Sequence, residues 1–310
     1  MAIVRTDVPM TPELCEQTLQ TLAQTYPFLR LRPLGQTFYG RTLWAAEIGE
    51  GERKVLYSAA HHANEWITAP VLLKFLEQLC RSVVSEGTLF GVPAATIVKA
   101  ATLHVVPMVN PDGVALVTGE LSGDSPARLR AEELSRNYPD IPFPEGWKAN
   151  LLGVDLNLQY PAGWLQAREI KFSQGFDRPA PRDYVGRAPL SQRESIALAQ
   201  YTEDVNPALV LAYHTQGQVI YWQFEDYEVP GARELAEEFA RLSGYALEDT
   251  PYQSAYAGYK DWFIKYFRRP GFTIEVGRGT NPLPLSQFDE IYRDNLGILV
   301  TAALGLSEEK

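Results

Sequence analysis

The spacing of apolar residues along the chain predicts several amphipathic helices. Thr11 followed by Pro12 marks a helix start, because a threonine hydroxyl caps the first turn and proline fits the first helical position. Residues 68–84 carry a broad apolar face with helical period. A capping box at 191–194 predicts the start of another helix, and the segment after Ser286 is predicted to be the closing helix.

Shorter apolar runs between these helices predict β-strands. Residues 42–49 and 53–60 flank a Gly-Glu-Gly-Glu turn and are predicted to form a hairpin. Buried strands are also predicted at 101–109, 207–214 and 271–277. Segments 118–150 and 165–190 are rich in proline, glycine and charge, and we expect long surface loops there. The pattern as a whole predicts an α/β fold.

Composition narrows the class of protein. The 310 residues are 45% apolar, which suffices for a buried core, and the formal net charge is −10. No basic cluster exceeds pairs such as Arg268-Arg269, so we expect no nucleic-acid partner. No run reaches the ~18 apolar residues of a membrane span and no signal peptide is recognisable, so we expect no membrane partner and a cytoplasmic location. Cys15 and Cys80 are expected to be reduced core residues.

The candidate chemistry begins at His62 and Glu65, whose i and i+3 spacing lets both side chains converge on one point. A catalytic zinc usually takes three protein ligands, often two histidines and a carboxylate, and keeps one position open. His214, at the end of a predicted strand, is the candidate for the third, although a hydrogen-bonded core histidine is the alternative. His61 and His104 are expected to have structural roles.

Five motifs together resemble the zinc carboxypeptidase (M14) family. They are HHANEW at 61–66, NPDG at 110–113, GVDLN at 153–157, YHTQGQ at 213–218, and the ordered set of YQ, DW and EVG that begins at Tyr252. The resemblance implies a single catalytic domain over 1–310, with an N-terminal helical segment at 1–26 and no LysM repeats. It also implies a mixed, twisted central β-sheet with helices on both faces.

The resemblance assigns roles to individual residues. His62, Glu65 and His214 match the ligands of one zinc ion per chain, and Asp155 matches the acid that holds the first ligand histidine by its other ring nitrogen. Glu275 matches the general base that activates water at the zinc. The remaining two catalytic matches are Tyr252, the mobile tyrosine that closes on substrate, and Lys148, which replaces an arginine that polarises the scissile carbonyl.

Two departures from the family concern the substrate. Leu158 follows Asn157 at a position where the family has an arginine that binds the free C-terminal carboxylate of the substrate through two hydrogen bonds. Asn64 replaces a second arginine of the family. These segments resemble the bacterial γ-D-glutamyl-L-diamino acid endopeptidases, which cut peptidoglycan stem peptides. Candidate substrate-binding residues are Asn157, Lys260 and Arg278.

The resemblance therefore implies a zinc metallopeptidase that hydrolyses the amide between γ-D-glutamate and meso-diaminopimelate or another diamino acid. Two alternatives stay open on the sequence. One is a zinc carboxypeptidase that releases C-terminal residues from α-linked peptides, and the other is an inactive peptide-binding protein. The oligomeric state is not encoded in any recognisable pattern.

Overall fold

A mixed eight-stranded β-sheet forms the centre of the computed structural model, which describes residues 2–306. In chain order the strands are β1 (Arg30–Gln36), β2 (Thr42–Ile48), β3 (Arg53–Ala59), β4 (Thr88–Leu89), β5 (Val92–Pro93), β6 (Ala101–Val106), β7 (Leu209–His214), β8 (Val219–Tyr221), β9 (Ala246–Leu247) and β10 (Gly271–Glu275). β4 and β5 form a separate two-stranded ribbon, and the others follow the spatial order β1-β2-β6-β3-β7-β10-β8-β9.

Helices connect most of these strands. In chain order they are α1 (Pro12–Thr25), α2 (Thr68–Val84), α3 (Ala94–Ala100), α4 (Pro111–Val117), α5 (Pro126–Ser135), α6 (Trp164–Ser173), α7 (Arg193–Val205), α8 (Ala232–Ser243), α9 (Tyr259–Phe267) and α10 (Phe288–Leu304). The Thr11 hydroxyl accepts from the Leu14 amide at 3.2 Å, as the predicted helix start requires. Each of the ten helices within residues 2–306 is too short or too polar to cross a membrane.

Both faces of the central sheet are covered by helices, as predicted. Successive side chains of a strand point to opposite faces, and β3 shows this directly. Val55 and Tyr57 belong to the larger apolar cluster, which includes residues of α1, α2, α8 and α10, whereas Leu56 belongs to the cluster that contains residues of α7 and α9. The central parallel strands are therefore buried on both sides, which explains their nearly continuous apolar runs.

The predicted hairpin between residues 42–49 and 53–60 is wrong. β2 and β3 form there, but β6 lies between them and pairs antiparallel with β2 and parallel with β3. The connecting turn crosses the start of β6, and an added Cβ on Gly49 or Gly51 would clash with the main chain of residues 100 and 101. The glycines thus permit a close backbone crossing, which the local sequence cannot distinguish from a tight turn.

The two segments predicted as long loops also contain helices. α5 lies within 118–150, and α6 lies at the start of 165–190. Only Ala127, Ala131 and Ser135 are buried in α5, so its sequence has too few apolar positions to show a helical period.

The predicted capping box at residues 191–194 is wrong as well. Helix α7 begins there, but its N-cap is Gln192, which makes no side-chain cap hydrogen bond. The Ser191 hydroxyl instead donates to the side-chain oxygen of Gln159 at 3.0 Å. Glu194 is buried near the side-chain amide of Asn150, 3.5 Å away, instead of reaching back to the N-cap. Tertiary contacts have therefore replaced the local cap.

Candidate metal centre and substrate cleft

Three side chains converge where adjacent parallel strands β3 and β7 end. His62 lies just after β3, Glu65 ends the 3₁₀ turn Ala63–Glu65, and His214 is the last residue of β7. His62 Nδ1 lies 2.9 Å from Glu65 Oε1, and His214 Nδ1 lies 3.0 Å from Glu65 Oε2. The two Nδ1 atoms are 3.2 Å apart. The predicted third ligand is thus brought to the predicted pair, at the strand ends where α/β sheets place their sites.

The second ring nitrogen of His62 is held by Asp155, with Nε2 and Oδ1 3.1 Å apart. Asp155 is itself fixed, because its carboxylate accepts main-chain N–H groups of Asn157 at 3.1 Å and of Asp183 at 3.3 Å. A carboxylate at Nε2 keeps the proton there and leaves the Nδ1 lone pair free for a metal. This contact between Asp155 and His62 is the one predicted from the sequence.

The donor set fits a zinc ion. Two imidazole nitrogens and one carboxylate are the ligands that catalytic zinc commonly takes from a protein, with the fourth position left for water or substrate. One ligand atom from each of His62, Glu65 and His214 can be chosen so that all lie within 4.8 Å of one another. The Nδ1 atoms of His62 and His214 both point at the Glu65 carboxylate, and a cation bound among these three groups could be coordinated by all of them.

Electrostatic effects in the site favour bound positive charge. Burial opposes protonation of His62, but the carboxylates of Glu65 and Asp155 outweigh it and raise the pKa of His62 to about 9. Burial also opposes the charge on Lys148, yet Glu65 raises the pKa of this lysine above its ordinary value. Burial, followed by the charge of Glu65, raises the pKa of Glu275 to about 8. The cluster is therefore rich in carboxylates that a metal cation would neutralise.

Lys148 is held beside the metal centre by its main chain. Its carbonyl accepts from the amide of Ala63 at 2.9 Å, and the side-chain amide of Asn110 donates to the carbonyls of His61, Lys148 and Ala149. The ammonium of Lys148 lies 3.1 Å from Glu65 Oε1, and the lysine side chain is 18% exposed. The lysine thus brings a positive charge to the edge of the site.

Glu275 lies between two lobes of an open cleft. It is the last residue of β10 and pairs in register with His214 on β7. We call the larger space the wide lobe, with a volume of about 620 Å³; its lining includes Asn64, Glu145, Lys148, Arg182, Gln216, Tyr221, Glu275 and Asn281. The narrow lobe, of about 180 Å³, is lined by residues that include His62, Lys148, Asn157, His214, Tyr221, Pro251, Lys260, Asp261 and Glu275. Glu275, Lys148 and Tyr221 line both lobes.

The narrow lobe contains two of the predicted substrate-binding residues. Asn157 Oδ1 accepts from the amide of Tyr259 at 3.0 Å, which ties the Asn157 turn to the start of α9. Lys260, in the first turn of α9, is 4% exposed; its ammonium donates to the carbonyl of Gln223 and lies 2.6 Å from Asp261 Oδ1. Lys260 is therefore already paired with a carboxylate.

Two other candidates lie away from the cleft. Tyr252 is 65% exposed, and its ring contacts Tyr256 at a centroid distance of 6.1 Å instead of lining either lobe. Arg278 is exposed, and its main-chain amide donates to Gln287 at 3.0 Å. Its neighbours at 279–281 line the wide lobe, but Arg278 does not. The roles of both residues therefore stay predictions.

Leu158 does not line either lobe. It is 7% exposed and packs in a small apolar cluster with Ala167, Val185 and Ala257. The position that carries a carboxylate-binding arginine in the family is thus part of a packed apolar layer.

Sequence reasoning overlooked several polar residues of the wide lobe, above all Arg182. It belongs to a segment that was expected to be surface loop, and the sequence around it has no motif that signals a site. Asn281 was overlooked too; its side chain exchanges hydrogen bonds with Thr215, to the hydroxyl at 2.7 Å and the carbonyl at 3.1 Å. Only the tertiary fold brings these residues together.

The other two histidines have structural contacts, as expected. His61 Nε2 lies 3.3 Å from the Tyr160 hydroxyl, and its ring stacks on that of His214 with centroids 5.4 Å apart. His104, on β6, lies 2.8 Å from the Tyr201 hydroxyl.

The sequence is similar to those of known proteins over most of its length. It is 46% identical over 285 residues to gamma-D-glutamyl-L-diamino acid endopeptidase 1 of Lysinibacillus sphaericus, covering 91% of this chain and 69% of that protein. It is 38% identical to the uncharacterized protein YqgT of Bacillus subtilis (strain 168), covering 92% of this chain and 74% of YqgT.

The fold and the family agree with these similarities. The structure resembles that of thrombin activatable fibrinolysis inhibitor with a TM-score of 0.76 at 16% sequence identity, covering 98% of this chain and 76% of that one. The zinc carboxypeptidase family model matches residues 15–297. With its His62, Glu65 and His214 centre, the chain belongs to the zinc carboxypeptidase (M14) family and is a zinc metallopeptidase that acts on peptides.

Proposed function

We propose that this protein is a γ-D-glutamyl-L-diamino acid endopeptidase acting on peptidoglycan stem peptides. The observation that carries the proposal is the burial of Leu158 among apolar side chains at the family's carboxylate-anchor position, beside a complete set of metal ligands. A site without that arginine does not require a free main-chain carboxylate next to the scissile bond. The 46% identity to a protein named for this activity supports the same substrate.

The chemistry is amide hydrolysis. Zinc, when bound by His62, Glu65 and His214, supplies a Lewis acid and lowers the pKa of a water molecule towards neutrality. Glu275, at the junction of the lobes, takes the proton from the attacking water and returns it to the leaving nitrogen. Lys148 lies beside the ligands and stabilises negative charge as it develops on the scissile carbonyl oxygen.

The two lobes divide the substrate between them. In the family, the residue that follows Asn157 binds the carboxylate of the leaving amino acid, so the narrow lobe, which Asn157 lines, receives the leaving diamino acid. The wide lobe then receives the acyl side, which is the D-glutamyl residue with its preceding alanine.

A defined stem tetrapeptide tests this proposal. We expect purified zinc enzyme to convert L-Ala-γ-D-Glu-meso-diaminopimelyl-D-Ala into L-Ala-D-Glu and the diaminopimelyl-D-Ala dipeptide, identified by mass spectrometry over time. Peptides with only α-linkages and C-terminal Phe, Arg or Glu serve as comparison. Stepwise release of single C-terminal residues from that set, with the γ-linked bond intact, would instead make the protein a carboxypeptidase.

A further inference from the structure

The geometry points to Arg182 as the residue that binds the free α-carboxylate of the D-glutamyl residue. We propose that this contact determines the preference of the enzyme for γ-linked substrates. This inference rests on the proposed function. Arg182 lines the wide lobe together with Lys148 and Glu275, so it shares the space of the acyl group with the residues next to the metal. Neither the sequence motifs nor the family resemblance assigns it a role.

Backbone contacts on both sides of Arg182 fix its place. The carbonyl of Pro181 accepts from the amides of Lys148 at 2.8 Å and Ala149 at 2.9 Å. On the other side, the amide of Asp183 donates to the Asp155 carboxylate at 3.3 Å. The arginine is therefore held by its two chain neighbours between the carbonyl-polarising lysine and the acid that orients His62.

The side chain of Arg182 is oriented by one hydrogen bond, and its other N–H groups remain available to a ligand. Its Nε donates to Asp183 Oδ2 at 2.5 Å, while the side chain as a whole remains 40% exposed. Among residues 2–306 its two terminal nitrogens have no hydrogen-bond partner. A guanidinium held at Nε presents its remaining N–H groups as a fork, which suits a carboxylate.

The carboxylate that contacts Arg182 is shared with a second cation, and the carboxylates of Asp155 and Glu65 act on the guanidinium from farther away. Asp183, which contacts Arg182, also binds the buried ammonium of Lys171 at 2.5 Å. Two cations therefore share one carboxylate in this group. In the narrow lobe, by contrast, Lys260 is the one cation paired with Asp261 among residues 2–306, with Nζ 2.6 Å from Oδ1. An anion would consequently gain more from Arg182 than from Lys260.

The chemistry of the substrate provides such an anion at the matching place. When D-glutamate is linked through its γ-carboxyl, its α-carboxylate stays free on the acyl side, separated from the scissile carbonyl by two methylene groups and the α-carbon. An α-linked residue has no charge there unless its side chain supplies it. A cation in the wide lobe can therefore distinguish a γ-linked D-glutamyl residue from an α-linked residue whose side chain has no carboxylate.

The test compares two substrates that differ in one group. The first is L-Ala-γ-D-Glu-meso-diaminopimelate, and the second carries an α-carboxamide in place of the D-glutamyl α-carboxylate. We expect the wild-type enzyme to prefer the free acid by about 10- to 150-fold in kcat/KM, the range of a charge-assisted bidentate contact. Arg182→Gln should lower kcat/KM for the acid to near that for the amide and leave the amide almost unchanged.

Controls separate binding from folding. Arg178→Gln removes a second arginine of the same loop, which pairs with its neighbour Asp177 at 2.9 Å and does not line the wide lobe, and it should keep the full preference. Zinc content and melting temperature verify that the centre is intact in Arg182→Gln. Arg182→Lys, which keeps the charge without the fork, should show an intermediate preference. Calorimetry with the product L-Ala-D-Glu should show a matching loss of affinity in Arg182→Gln.

The outcomes distinguish the two proposals. If the wild type hydrolyses the γ-linked bond but does not prefer the acid, or if Arg182→Gln keeps the preference, the role of Arg182 is refuted while the endopeptidase stands. If neither γ-linked substrate is cleaved and α-linked peptides are, both proposals fail together.

Discussion

The metal centre and the substrate lobes of this protein are built in different ways. His62, Glu65 and His214 lie at or just after the ends of neighbouring parallel strands, and Glu65 and His214 are each 1% exposed. The lobes are lined largely by residues of irregular segments, such as Glu145, Arg182 and others near 250 and 280. The rigid sheet thus fixes the chemistry, and the loops around it determine which amide reaches the metal.

The comparison also shows where the chain departs from its family. His62, Glu65, His214 and Asp155 match the family motifs, whereas the departures, Asn64, Lys148 and Leu158, replace family arginines that interact with substrate. Changes at the centre should therefore abolish hydrolysis of any peptide, while changes in the lobes should alter the preference among peptides.

The largest effect is expected from His214→Ala. Because it removes one of three ligands from a buried site, the variant should lose stoichiometric zinc and several orders of magnitude in kcat/KM on every substrate. Metal analysis of the purified protein and steady-state kinetics measure both. His104→Gln, which keeps a partner for Tyr201 far from the centre, should retain one zinc per chain. Full zinc occupancy in His214→Ala would remove this residue from the ligand set.

Glu275→Gln should have the next largest effect. General-base catalysis contributes about 10²- to 10⁴-fold, so kcat should fall by that factor while zinc content stays at one per chain. The control is Glu248→Gln, outside both lobes. Loss of zinc from Glu275→Gln would instead mean that Glu275 is a ligand.

Asp155→Asn should weaken the metal centre without dismantling it. Partners at the second ring nitrogen of a ligand histidine typically contribute about 10- to 100-fold to metal affinity, and Asp155 contacts Nε2 of His62 at 3.1 Å. Competition with a zinc-binding dye measures the affinity. Asp177→Asn, an exposed aspartate paired with Arg178, is the matched control and should bind zinc normally. Unchanged affinity in Asp155→Asn would count against the orienting role.

The smallest effect is expected in the narrow lobe, from Lys260→Met. If Lys260 meets the distal carboxylate of the diamino acid, the wild type should prefer a meso-diaminopimelyl substrate over its L-lysyl analogue, which lacks that group. In the variant, the ratio of kcat/KM for the diaminopimelyl substrate to that for the lysyl substrate should fall by about 10-fold. The effect is modest because Asp261 already neutralises the lysine. Lys265→Met, on the same helix, should not change the preference. A preference that survives in Lys260→Met would exclude the contact.

Much of the metal centre could be predicted from the sequence because its residues sit in short, ordered motifs. The i and i+3 spacing of His62 and Glu65 is local, and His214 and Glu275 end strands whose apolar runs are easily recognised. The buried parallel strands β6, β7 and β10 were predicted for the same reason.

The errors concern features that depend on distant parts of the chain. A Gly-Glu-Gly-Glu turn predicts a hairpin locally, but β6 inserts between the flanking strands from about 50 residues away. Arg182 was overlooked because its place depends on main-chain contacts to Lys148 and Asp155, which no short pattern encodes. Specificity residues on loops are therefore less predictable than ligands at strand ends.

Two isomeric tripeptides test the proposed preference for γ-linked substrates most directly. Both have the composition alanine, D-glutamate and meso-diaminopimelate, and they differ only in whether the amide to the diamino acid is formed by the γ- or the α-carboxyl of D-glutamate. We expect purified zinc enzyme to hydrolyse the γ-isomer with at least about 10-fold higher kcat/KM. Both isomers keep one free carboxylate, but only in the γ-isomer does it share a carbon with the alanyl amide, so that the carboxylate and the preceding alanine enter the wide lobe together. Equal rates, or a preference for the α-isomer, would contradict the proposed preference.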